Sequence, residues 1–130
     1  MSNLARFCLL FGAGAGGIAV ILGAFAAHGL RDKLEANLFA AFQTGVEYQF
    51  YHALALLAVG ILLLNAEQRL LIWAGGAFTL GIVLFSGSLY ALALTGVRGL
   101  GAITPLGGVS FVVGWVLLLA AIIRWPGSAA

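Results

Sequence analysis

The sequence predicts an all-α integral membrane protein, a four-helix bundle with a short amphipathic interfacial helix between helices 1 and 2. Three observations predict it. Charged residues make up only 8% of the 130 and hydrophobic residues 63%, whereas an ordinary soluble domain carries about 25% charged residues. So few charges cannot clothe a soluble globule, while a lipid-facing surface does not need them. Four stretches are apolar over the length a span requires, about 20 residues at 1.5 Å each. Charged, Gly- or Pro-containing segments separate them, and the whole chain, 1–130, reads as a single transmembrane domain.

Helix 1 is expected over about Phe7–Ala27. Arg6 and the later Ala24-Phe25-Ala26 resemble the charged start and cleavage site of a signal peptide. The apolar run exceeds the about 7–15 residues of such a core and is long enough to span, so it reads as a helix. Cys8, the only cysteine, is expected to be a small core or lipid-facing residue, with no internal disulfide and no Cys-based metal site. Gly12 and Gly16 form a GxxxG. Small residues let helix backbones approach in lipid, here favouring packing within one bundle over a dimerising face.

The connection to helix 2 has structure of its own. Asp32-x-x-Glu35 fits a capping-box variant, with Asp32 as the cap. Leu34, Leu38, Phe39 and Phe42 then share one face at helical spacing, predicting an interfacial helix over about 33–43. Gly45 leaves two courses open, a bend or a continuous helix. Helix 2 follows over about Gly45–Leu64, and the short link Asn65–Arg69 makes helices 2 and 3 antiparallel neighbours. Helix 3 covers about Leu70–Leu94. Thr104 as cap and Pro105 at the first helical position open helix 4, about Pro105–Arg124, which Trp125-Pro126-Gly127 ends.

Alternating helix direction brings the 1/2 and 3/4 connections to one membrane face. The polar side chains collect in that half: His28, then Glu47, Tyr48, Gln49, Tyr51 and His52, then Ser86, Ser88 and Tyr90, then Arg98 and Thr104, with Ser110 nearby. The other half is nearly pure hydrocarbon. On helix 2, Gln43, Glu47 and Tyr51 recur four apart, as do Thr44, Tyr48 and His52, which predicts one polar face. Glu47 is the chain's only isolated carboxylate. Buried, it needs a partner or a proton, and Arg98 and His28 are the candidates. About a turn inside helix 2, it could also snorkel to the headgroups. The cluster is expected to hold the helices together and to offer a binding surface for lipid or a partner protein.

Other chemistries fit less well. Bis-His haem ligation fails because His52 would lie roughly 10 Å deeper than His28 by helix rise. Glu47 and His52, five apart, share a helix face poorly, and no further strong metal ligand accompanies them. Ser86 and Ser88 have no His placed beside them, so no catalytic residue is assigned. The glycine-rich stretches lack a Lys-Ser/Thr and follow no strand, which excludes a phosphate loop. A net charge of +2, scattered along the chain, is no nucleic-acid footprint. No metal and no cofactor is expected.

Four ordered motifs carry a resemblance. Gly23-Ala24-Phe25-Ala26-Ala27-His28-Gly29-Leu30 is similar to a GAFGAH motif, and Thr44-Gly45-Val46-Glu47-Tyr48-Gln49 with His52 to TGxEYQxxH. Leu84-Phe85-Ser86-Gly87-Ser88-Leu89-Tyr90 and Thr104-Pro105-Leu106-Gly107-Gly108 complete the set. On these motifs the chain resembles the YgdD-like family (domain of unknown function 423) of small bacterial inner-membrane proteins. Ala26 stands where that motif often has Gly, and the C-terminal tail carries only Arg124 where relatives can be more basic. The resemblance implies four membrane helices in the inner (plasma) membrane with cytoplasmic termini, and it brings no activity with it. The Lys/Arg count does not choose an orientation: Arg6, Arg69 and Arg124 on one face balance Arg31, Lys33 and Arg98 on the other.

The expected function is therefore a non-catalytic membrane protein, an accessory subunit of a larger complex or a homo-oligomer, with membrane lipids as neighbours. The alternative is a small oligomeric carrier or proton-linked transporter using Glu47.

Overall fold

In a computed structural model describing residues 1–127, four helices are long and apolar enough to cross a membrane. Helix α1 runs Asn3–Phe25 and is prolonged by a π-helical turn, Ala26–Leu30. The Ser2 hydroxyl caps it by accepting the Ala5 N–H at 3.1 Å. Helix α2 spans Ala36–Asn65. Helix α3 spans Arg69–Thr95 and contains a π turn at Ile82–Ser86. Gly96 ends α3 in the left-handed region at φ 73°, and its N–H bonds back to Leu92 O at 2.8 Å. A 3-10 turn, Arg98–Ala102, leads into α4, Thr104–Ile123.

The segment expected to form an interfacial helix runs on as the first part of α2, so of the two courses left open at Gly45 the chain takes the continuous one. The helix passes through Gly45 unbroken. Gly45 does not bend the chain; it makes room, since a Cβ there would lie 2.8 Å from the Tyr90 ring. The apolar face of residues 34–42 finds cover inside the protein. Phe42, Leu30, Ala26 and Ala93 form a second small core, with Leu34, Phe39 and Tyr90 packed against it. That burial removes the reason to lie flat on the membrane.

Two caps also differ from expectation. Glu35, not Asp32, is the residue before α2, and it caps with its backbone alone: its carbonyl accepts from Phe39 at 2.9 Å and no side chain caps the end. Asp32 cannot reach because Lys33 and Leu34 continue turning from α1, bonding to Leu30 O. Ile103 precedes α4, with Pro105 in the first turn as the sequence predicts. The Thr104 hydroxyl is spent elsewhere, on Ser88.

Helix α1 packs along α2, and α3 lies between α2 and α4. The main core joins them through Leu56, Val59, Leu71, Phe78 and Phe111, with Cys8 buried beside them. Gly12 sets the α1/α2 approach, since a Cβ there would lie 2.9 Å from Ala53 O. Gly16 faces the same residue, with a Cβ there 3.7 Å from Ala53 Cβ, so both glycines of the GxxxG pack within the chain, while Gly14 and Gly17 have open space beside them.

Candidate functional site

The phase of α2 decides which polar side chains turn inward. Gly45, Gln49, His52 and Leu56 recur at helical spacing and are buried, whereas Gln43, Glu47 and Tyr51 are exposed. The single polar face expected on helix 2 is thus split in two. One strip faces α1, α3 and α4; the other faces outward.

The inward strip is fully paired. Gln49 bridges three helices: its Nε2 donates to Ala15 O on α1 at 2.8 Å, and its Oε1 accepts the Tyr90 hydroxyl of α3 at 2.6 Å. One turn away, Ser86 Oγ donates to Gly45 O at 2.6 Å. Ser86 closes the π turn of α3, the kind of single-turn irregularity that places a side chain off the regular helical phase. Ser88 donates to Phe85 O at 2.9 Å and shares a 2.6 Å hydrogen bond with Thr104, tying α3 to the start of α4. Ser110 donates to Ala77 O at 2.7 Å, a second α3/α4 tie.

His52 lies between α2 and α4. Its ring stacks on Phe111 with centroids 3.5 Å apart and planes 7° from parallel. The Trp115 indole donates to Nε2 at 3.0 Å, and Nδ1 lies 2.7 Å from Tyr48 O. Indole N–H can only donate and a carbonyl can only accept. Nε2 is therefore the acceptor and Nδ1 carries the proton. Both ring nitrogens are committed, so this imidazole has no free lone pair for a metal or a base's work.

The remaining predicted side chains make no hydrogen bond in this network, although the Tyr48 carbonyl accepts from His52. Tyr48 is 38% exposed and packs its ring on Phe85 at 4.7 Å, with Tyr51 alongside at 5.7 Å. His28 is exposed in the π turn that ends α1. Arg98 lines a cleft with Asn37 and Leu38 at the end of the bundle. Those two stand nine or ten residues before Glu47 on α2, about 14 Å by helix rise. The expected Glu47–Arg98 or Glu47–His28 pair is therefore not formed, and among the described residues Glu47 has no hydrogen bond or ion pair.

Glu47 instead edges a crevice of about 170 Å³ between α1 and α2, lined by Gly23, Ala26, Gln43 and Val46. Along α2 it lies about 16 Å past Ala36 and about 27 Å before Asn65, which keeps it within about a turn of the membrane interface when Asn65 marks the other. No three His, Cys, Asp or Glu side chains converge on a metal-sized site among the described residues.

Trp115 and Phe111 are the functional neighbours that sequence reasoning missed. Their i, i+4 spacing on α4 is visible, but a tryptophan in an apolar helix reads first as a lipid-facing anchor. Only α4's rotation shows that its N–H meets His52.

A family model described as "Protein of unknown function (DUF423)" matches residues 22–108, which contain all four motifs. The chain is 49% identical over 110 residues to a UPF0382 membrane protein of Staphylococcus epidermidis, covering 85% of this chain and 89% of that protein. It is 45% identical over 119 residues to the UPF0382 inner membrane protein YgdD of Escherichia coli, covering 92% and 91%. No solved structure matches the chain significantly.

Proposed function

We propose, from the premise that this chain belongs to the DUF423 family of membrane proteins, that it is a non-catalytic inner-membrane subunit. In this reading it binds a neighbouring membrane helix, of a larger complex or of a second copy, through the outer α1/α2 face at Glu47. The observation that carries the reading is the division of labour on α2. Every inward polar side chain is already paired, so the inner network serves as scaffold. Glu47, exposed beside small Gly23 and Ala26, is left with bonding capacity to spend. An ionisable group at membrane depth is costly and functional by default, and small residues beside it let another backbone come close. Both termini face the cytoplasm in this arrangement.

The test is native mass spectrometry after gentle extraction from the cell's own membrane. Wild-type protein should retain a second copy or a partner subunit. Glu47→Gln should weaken that association about tenfold, the loss expected for a charge-assisted hydrogen bond. A bare monomer, or equal retention by Glu47→Gln, would overturn the reading.

One observation supports a second reading, the oligomeric proton-linked carrier. Because Glu47 faces outward, a polar path past it can exist only between copies, not through one bundle. Its mark is a pH-driven flux in liposomes that Glu47→Gln abolishes.

A further inference from the structure

A cleft of about 530 Å³ lies away from Glu47, where the 1/2 and 3/4 connections meet. Lys33, Glu35, Asn37 and Arg98 give it polar walls, while Leu34, Leu38 and Leu92 give it an apolar one. Among the described residues, Lys33, Glu35 and Arg98 form no ion pair with one another. The cleft therefore holds two unneutralised cations against one carboxylate. Its volume falls within the roughly 300–1,000 Å³ of small-molecule sites.

Its height in the membrane follows from helix length. The 30 residues of α2 rise about 45 Å, well beyond a hydrocarbon core of about 30 Å. The polar end at Asn65–Arg69 marks one interface, so the first turns of α2 stand among or above the headgroups of the other. Side chains at 33–38 thus stand at the height of the headgroups, and Leu92, about 34 Å along α3 from Arg69, lies just outside the hydrocarbon edge.

We propose that this cleft binds the headgroup of a membrane phospholipid with net negative charge. Lys33 and Arg98 take the phosphate, Asn37 supplies a neutral hydrogen-bonding group, and the three leucines line the glycerol and first methylenes. The excess of one positive charge selects an anionic lipid over a zwitterionic one. The apolar wall selects a lipid over a free anion, which has nothing to place against it. This site is independent of the Glu47 face.

The test titrates purified full-length protein in mild detergent with phosphatidylglycerol and phosphatidylcholine of identical chains, counting bound lipids by native mass spectrometry. Wild type should retain one phosphatidylglycerol in preference. Lys33→Gln and Arg98→Gln should each lower that retention about fivefold, the worth of one cation near an anionic headgroup. Glu35→Gln should raise it, and Arg69→Gln, at the opposite interface, should leave it unchanged. Glu47→Gln should also retain the lipid, which separates this site from the partner-binding face. All five positions are exposed, so the variants keep their core. Equal retention of the two lipids by wild type, or no loss in the Lys33→Gln/Arg98→Gln double variant, would overturn the proposal. Displacement of the lipid by millimolar inorganic phosphate would make this a free-anion site and overturn it as well.

Discussion

Gly107→Ala should destabilise the folded bundle by about 3 kcal/mol, the upper end of the cost of overpacking a filled core. A Cβ at Gly107 would collide with the backbone N of Phe85 and lie 2.7 Å from its Cα and Cβ. A side chain can rotate away from such a clash, but a helix backbone cannot, so α3 and α4 would have to separate. Phe85 also packs on Tyr48 and Phe111, which hands the displacement on to His52. Gly76 and Gly87 have nothing within 4 Å of an added Cβ. Alanine there should be neutral or gain up to about 1 kcal/mol from helix propensity. Reversible unfolding in mixed detergent–SDS micelles, followed by circular dichroism, measures all three. Similar losses at Gly107 and Gly87 would show that close approach is not what glycine provides.

The second large effect is expected from His52→Ala, at about 3 kcal/mol. Truncation removes a ring stacked on Phe111 and leaves the Trp115 N–H without its acceptor. The ring is lost from a packed interior and the donor from a half-buried site, where a cavity and an unpaired donor each cost on the order of 1–3 kcal/mol. His52→Phe separates them by restoring the ring without the acceptor, and it should cost only about 1–2 kcal/mol. In both variants the Trp115 indole N–H resonance should move to the position of a group with no hydrogen bond, while that of Trp73 stays. If alanine and phenylalanine cost the same, the stacked ring contributes nothing.

The four spans and the polar half of the bundle were legible because both rest on strong signals. One is the length of an apolar run; the other is the direction each helix must take after a short connection. Helix phase was not legible to the same degree. Glu47 and Gln49 stand two residues apart, and one faces out while the other bridges three helices. Periodicity gives the angle between them but not which way α2 turns toward its neighbours. Gly45 reads equally as a bend or as part of a continuous helix, and the room that the Tyr90 ring needs there is not visible in the sequence. Asp32 looked the better cap by residue type, yet the chain leaves α1 still turning and reaches extended backbone only at Glu35. The π turns have no sequence signature of their own, so the facing of everything beyond them was out of reach.

That π turn in α3 makes the spacing of a motif as binding as its letters. Each α-helical residue advances the facing direction by about 100°, and the wider turn at Ile82–Ser86 absorbs one residue more than regular winding would. Leu84–Tyr90 works in this fold as a counted ruler: deleting Gly87, just past the turn, would keep every functional side chain in the chain. It would also swing Ser88 and Tyr90 about a quarter turn away from Thr104 and Gln49. A shortened relative could carry all the right letters and still lack the network.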